Sequence, residues 1–322
     1  MLKLRKQKIL FSESEEFYRS LGIIDYDELE YVFNGMKRYK YDMSKLKEFD
    51  TFVCAFYTVP HNVILTLKFR KMNRPTVLVA DGIYDFANSN FNPMVTKYNL
   101  TQFEPIIQDF FLVPGKLESK LLKGIKSTIN YLPSRMLSMQ NKLPLPEKAK
   151  VLITTANNPY FDEREKKRLV SLINDIKDVL DTQGVPFAYR IFDPYLKDKL
   201  EVDEHLNDTS MCFENCLTNY SAVLTTPSSI AITAMYHDRA VGLLTYRSTP
   251  ATLVAGWSFF DKELFEAQLS DFINLEEKRL KFQRRVVANY IEESTDINSA
   301  LNNCSFDFDL HHNEREIELH IN

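Results

Sequence analysis

Four short stretches of this 322-residue chain hold the side chains that could do chemistry. Residues 223–244 read VLTTPSSIAITAMYHDRAVGLL. An apolar run stops at Thr225-Thr226-Pro227, Ser228 and Ser229 follow, and a small-residue helix leads to a second apolar run. Strand, tight loop, helix start and strand in that order offer hydroxyls and unpaired backbone N–H groups to an anion such as phosphate. One of Thr226, Ser228 and Ser229 is expected to cap the helix, which is compatible with holding the same anion. Asp81-Gly82 ends another apolar run. A carboxylate there can take a proton from an attacking hydroxyl, and the glycine permits close approach; the same pair is also a common turn. Asn157-Asn158-Pro159 supplies amides that could donate to phosphate, or could simply form a turn before a helix whose positive end points at the ligand. His61, in Pro60-His61-Asn62, is open to four roles: acid, base, phosphate contact or structural residue of a helix start.

The elements that must position these groups alternate between strand and helix. KILF (8–11), YVFNG (31–35), TFVCAFY (51–57), TVLVAD (76–81) and FFLVPG (110–115) read as strands, with a helix opening at Pro60. Residues 130–150 hold three prolines and scattered charge and read as a linker. KVLITT (150–155), PFAYRIFD (186–193), YSAVLTT (220–226) and AVGLLTY (240–246) form a second strand series. The helix over 162–181 puts Leu169, Ile173, Ile176 and Leu180 on one side, and Gly184 stops it. Two helices follow Trp257, one capped by Asp261 and one running from Leu275 to Glu293. The expected fold is α/β, two Rossmann-like domains with mainly parallel sheets facing a cleft, closed by C-terminal helices. The expected domains are 1–140, 141–295 and a polar tail, 296–322, in which IELHI could add an edge strand.

Composition removes several classes. A net charge of −4 leaves no surplus of cations for general nucleic-acid binding. With eight glycines and no GxG, a dinucleotide fingerprint and a phosphate loop of the Walker kind are excluded. Cys54, Cys212, Cys216 and Cys304 form no metal pattern, and no three-ligand histidine cluster completes one, so no metal is expected. His237 is expected at a helix C-terminus, and His311, His312 and His320 in the tail. Isolated thiols, no secretory signal and no apolar run of about 20 residues point to the cytoplasm. The helix from Leu275 to Glu293 carries Lys278, Arg279, Lys281, Arg284 and Arg285; it either packs on its own protein or rests peripherally on the inner face of a membrane.

Asp81-Gly82, Asn158-Pro159 and Ser228-Ser229, in this order, resemble the motifs of bacterial capsule and lipopolysaccharide glycosyltransferases of the GT-B arrangement. The likeness is nearest to the sialyltransferase, polysialyltransferase and Kdo-transferase groups, which use CMP-activated sugars. Their motifs are acidic-Asp-Gly, His-Pro and Ser-Ser or Ser-Thr. Here the first reads Ala80-Asp81-Gly82, and asparagine stands where the histidine would be; Ser228-Ser229 fits unaltered. An asparagine can donate to phosphate but cannot deliver a proton. The resemblance implies a nucleotide-sugar donor held near Ser228, Ser229, Asn157, Asn158 and Thr226. It also implies an oligosaccharide or lipid-linked glycan acceptor beside Gly82 and Asp81, with Asp81 as general base and His61 as assistant. A donor with one phosphate requires no metal, and no further cofactor is implied. Two alternatives remain open: a polyol-phosphate transferase of the teichoic-acid type, and a non-catalytic glycan-binding or assembly protein of the same fold. The transferase reading needs Asp81 and the paired serines to confront one another over a shared gap.

Overall fold

A computed structural model describes residues 6–27, 29–56, 59–97, 101–103, 105–121, 127–138, 141–304 and 308. They fall into two compact units. The first takes the described residues of Met1–Ile83, Tyr98–Arg135 and Tyr290–Asn322; the second takes Tyr84–Lys97 and Met136–Asn289.

The first unit is built on β1 (Gln7–Phe11), β2 (Leu29–Val32), β3 (Thr51–Cys54), β4 (Thr76–Val79), β5 (Phe110–Val113) and β6 (Ser127–Asn130). Their order is β2-β1-β3-β4-β5-β6, and every pairing is parallel. β3, β4 and β5 are buried throughout, as continuous apolar strands covered on both sides must be. Phe11, Tyr18, Val53, Val77, Leu112 and Tyr131 form the centre of one core. Ile297, Ala300, Leu301 and Cys304 join that core from a helix at 297–304. The polar tail expected from residue 296 is therefore corrected over this stretch: its apolar residues recur at three- and four-residue spacing and bury one side. IELHI and His311, His312 and His320 lie outside the described residues.

The second unit carries β7 (Val151–Thr154), β8 (Phe187–Arg190), β9 (Ala222–Thr225), β10 (Ala240–Leu244) and β11 (Trp257–Phe259), in the order β11-β10-β9-β7-β8 and again all parallel. The helix Glu163–Thr182 buries Leu169, Ile173, Ile176 and Leu180 against this sheet's core. Gly184 follows its last turn at φ 65°, a left-handed conformation that suits glycine. β6 and β11 carry no legible strand pattern, and the detour of residues 84–97 into the second unit interrupts the expected block order.

Candidate functional site

In the second sheet the strand order reverses between β7 and β9, and ligands of parallel α/β sheets collect at such switch points beyond the carboxyl ends. The loops after these two strands are those holding Asn157-Asn158 and Thr226-Pro227-Ser228-Ser229. Thr154 pairs with Thr225 in the ladder, and the Ala156 amide donates to Thr226 Oγ1 at 2.7 Å. One hydrogen bond thus fastens the two loops together. Thr226 is 1% exposed, and its hydroxyl oxygen accepts this fastening bond. Ser228 and Ser229 are half-buried and lead into the helix Ile230–Tyr236. Their carbonyls accept from Ala231 and Ile232, and the Ser229 side chain makes no cap hydrogen bond, so the expected hydroxyl cap is replaced by a main-chain turn.

Asn157 and Asn158 are exposed. The helix beyond them, Glu163–Thr182, is capped by carboxylates. Asp162 Oδ1 accepts from Glu165 N at 2.7 Å and Glu165 Oε2 accepts from Phe161 N at 2.9 Å, a reciprocal cap that satisfies the first turn with carboxylates. Asn158 opens onto a recess of about 280 Å³ that also holds Asp162 and Glu163. Two carboxylates in that recess weaken its pull on an anion.

A larger cavity, about 420 Å³, lies along β10 and β11, lined by Thr245, Tyr246 and Arg247 after β10 and by Gly256 just before β11, with Pro227 in its wall next to Ser228. Leu243, Leu253 and Val254 supply apolar surface, while Phe282 and Arg279 come from the helix Glu277–Ile291. Phe282 is 44% exposed, and Arg279 donates through Nη1 to Gly256 O at 2.9 Å. Arg247 braces the wall from within. Its Nη1 lies 3.3 Å from Asp85 Oδ2 and its Nη2 donates to Pro159 O at 2.9 Å. Its Nε lies 3.3 Å from Glu165 Oε2, an ionic contact without hydrogen-bond alignment. Tyr246 also donates to Pro159 O, and burial pushes its phenol well above the usual range. Sequence reasoning missed this cavity because its lining comes from four separated segments; the apolar-Tyr-Arg ending of β10 was the available signal.

In the first unit Asp81 and Gly82 follow β4, and His61 follows β3, at the same end of one parallel sheet. The turn is held firmly: Ala80 N donates to Leu112 O at 2.8 Å and Ala80 O accepts from the Tyr131 hydroxyl. Tyr131 is wholly buried, and desolvation, then the nearby Asp81 charge, pushes its phenol far upward. Asp81 is about 43% exposed and pairs with Arg135 at 3.0 Å, so its carboxylate faces solvent with a cation beside it. The His61 ring lies 4.2 Å from that of Tyr39, and its Nδ1 is buried without a hydrogen-bond partner among the described residues.

Between β1 and β3, at this sheet's own switch point, Glu13 was not anticipated. It accepts from the Tyr18 hydroxyl, Ala55 N, Phe56 N and Asn62 Nδ2. Four donors make it a fastening for the ends of β1 and β3, where a buried carboxylate is stable only when so satisfied. The signal was a glutamate directly after KILFS.

His237 is wholly buried at the end of the Ile230–Tyr236 helix. Its Nδ1 accepts from Leu143 N at 3.1 Å and its Nε2 contacts Glu214 Oε1 at 3.0 Å, so it ties these two segments of the second unit to the end of that helix. The helix Glu277–Ile291 buries Leu280 and Val287, and Arg284 pairs with Asp238 and Glu277. Of the two roles expected for it, packing on its own protein accounts for these contacts. Cys212 is exposed and Cys216 buried, next to a one-turn helix, Phe213–Cys216.

No protein-family model and no curated protein matches the sequence. Solved structures do. The wall teichoic acid polymerase TagF, H444N variant, is 11% identical with a TM-score of 0.54, over 98% of this chain and 90% of that one. The S. aureus MnaA–UDP complex is 13% identical with a TM-score of 0.55, over 98% of each chain. Medicago truncatula UGT71G1 with UDP-glucose is 10% identical with a TM-score of 0.53, over 93% and 98%. At these identities the likeness is one of fold: the chain has two Rossmann-like parallel-sheet units of the GT-B kind, with helices at its C-terminus.

Proposed function

We propose that the chain is a glycosyltransferase that moves a sugar from a nucleotide-activated donor, CMP-linked by the Ser228-Ser229 resemblance, to a surface-polysaccharide acceptor. The observation that carries this reading is the cavity of about 420 Å³ beside the fastened loops of β7 and β9. Its volume suits a nucleoside, its walls are apolar, and a free aromatic ring and a guanidinium stand at its edge. In this reading the base packs against Phe282 and the phosphate meets Ser228, Ser229 and Arg279, with Asn157 at the margin. Negative charge builds on the donor phosphate as the glycosidic bond breaks, and those donors stabilise it. Asp81, with Arg135 beside it at 3.0 Å, takes the proton of the acceptor hydroxyl, and His61 assists.

Fold likeness to the wall teichoic acid polymerase, which has also been soaked with CDPG, favours a second reading, transfer of a polyol phosphate. Analysing the product for added phosphate separates the two.

Thermal unfolding with CMP, UDP and GDP tests the donor site, because a ligand at a hundredfold excess over its Kd stabilises by about 2.7 kcal/mol. Stabilisation by CMP, lost in Phe282→Ala and Arg279→Gln, supports the reading. Stabilisation by UDP or GDP alone transfers it to another donor, and no response to any nucleotide overturns it. Asp81→Asn should keep nucleotide binding and lose turnover.

A further inference from the structure

We propose that the outward side of the helix Pro60–Lys71, with the turn at residues 39–41, docks on an anionic lipid surface. The helix turns Asn62, Leu65, Thr66 and Phe69 inward. Its outward stripe runs Pro60, Ile64, Leu67 and Lys71, with Ile64 38% and Leu67 53% exposed. Lys68 Nζ donates to the carbonyls of Tyr39 and Tyr41, each at 2.7 Å, and so lays the turn along the same flank. Tyr41 is 40% exposed there. Residues 36–47 and 60–71 together carry eight cations against the single carboxylate of Asp42, in a chain whose net charge is −4. Lys37, Lys40, Lys45, Lys47 and Lys71 are exposed, and none forms an ion pair among the described residues.

This combination selects the partner. A nucleic acid or phosphate polymer would neutralise the lysines but leave Ile64 and Leu67 in water. A second copy of the same surface would oppose like charges. A bilayer interface takes both parts: aliphatic and tyrosine side chains enter below the headgroups, while the ammonium groups reach the lipid phosphates on flexible stems. The surface lies on the first unit, whereas on the helix Glu277–Ile291 Leu280 and Val287 are buried.

The test is sedimentation of the full chain with vesicles of phosphatidylglycerol and phosphatidylcholine, and with phosphatidylcholine alone, nucleotide absent. Binding to the anionic vesicles only, weakening as salt rises, is expected. Ile64→Gln with Leu67→Gln should reduce it by about tenfold or more. Lys40→Gln and Lys71→Gln should each reduce it by roughly fivefold. These side chains are exposed, so an unchanged melting temperature certifies each variant. Equal binding to neutral vesicles, binding to neither, or undiminished binding by the Ile64/Leu67 variant overturns the proposal, the last by making the surface a general polyanion site. Because no nucleotide is present, this proposal can fail while donor binding succeeds, and the reverse.

Discussion

The backbone amide of Ala156 donates to the hydroxyl of Thr226 at 2.7 Å, so the loops leaving two neighbouring strands of the second sheet are held as one rim. Thr226→Val keeps the shape and removes the acceptor, leaving a partly buried N–H unsatisfied. A loss of about 1–3 kcal/mol in denaturant unfolding is expected, and Thr226→Ser should restore most of it. Nucleotide affinity should fall in the valine variant and recover in the serine variant.

Gln283 fills a gap beside β10. Its Oε1 accepts from Val241 N at 2.8 Å and Gly256 N at 3.3 Å, and its Nε2 donates to Arg239 O at 2.7 Å. Gln283→Leu fits the volume but strands three main-chain groups, so a loss of about 3 kcal/mol or more is expected. Gly256 lines the cavity, and Trp257, the sole tryptophan, follows it. Altered tryptophan emission in the folded variant would report the disturbed wall.

Arg247 stands between Asp85 and Glu165, with 8% of its side chain exposed. Arg247→Met would leave two largely buried carboxylates without their cation, at a cost of about 3–5 kcal/mol. Residues 84–97 should then loosen from the second unit, which limited proteolysis would detect. An unchanged cleavage pattern would count against this bracing role.

Asp238 supplies a pH test. Burial raises its carboxyl, but hydrogen bonds from Lys142 and Arg284 outweigh that and hold it below the usual carboxylate value. The folded state therefore binds this proton less readily than the unfolded chain. The resulting stability is complete above the unfolded value of about 4 and drains away as pH falls through the lower folded value. Both cationic partners are substantially exposed, so Asp238→Asn should cost only about 0.5–1 kcal/mol at neutral pH. The gap between variant and parent should close in acid, as followed by urea unfolding across pH.

Strand and helix positions were legible because their signals are local. Apolar runs such as TVLVA and YSAVLTT sit in buried parallel strands, Pro60 opens its helix, and Asp162 and Asp261 cap theirs with side-chain oxygens. β6 and β11 carry no continuous apolar run, STIN being largely polar and WSF having an exposed serine at its centre, so neither stands out along the chain. The helix at 297–304 was hidden in a polar surrounding sequence, and its burial depends on a core assembled from residues nearly three hundred positions away.

The sequence by itself determined the alternation of strands and helices, and hence two parallel α/β layers, together with the loops most suited to anions and proton transfer. Tertiary structure alone decided which of those residues are available. Thr226, Asn158 and Ser228 look alike along the chain as ligands, yet Thr226 is buried and accepts a cross-loop hydrogen bond, Asn158 shares its recess with Asp162 and Glu163, and Ser228 is half-buried. Glu13, Arg247, Gln283 and the cavity wall were invisible along the chain. A side chain's partners come from segments far apart in sequence, and burial, which sets the worth of every polar group, exists only once those segments have packed.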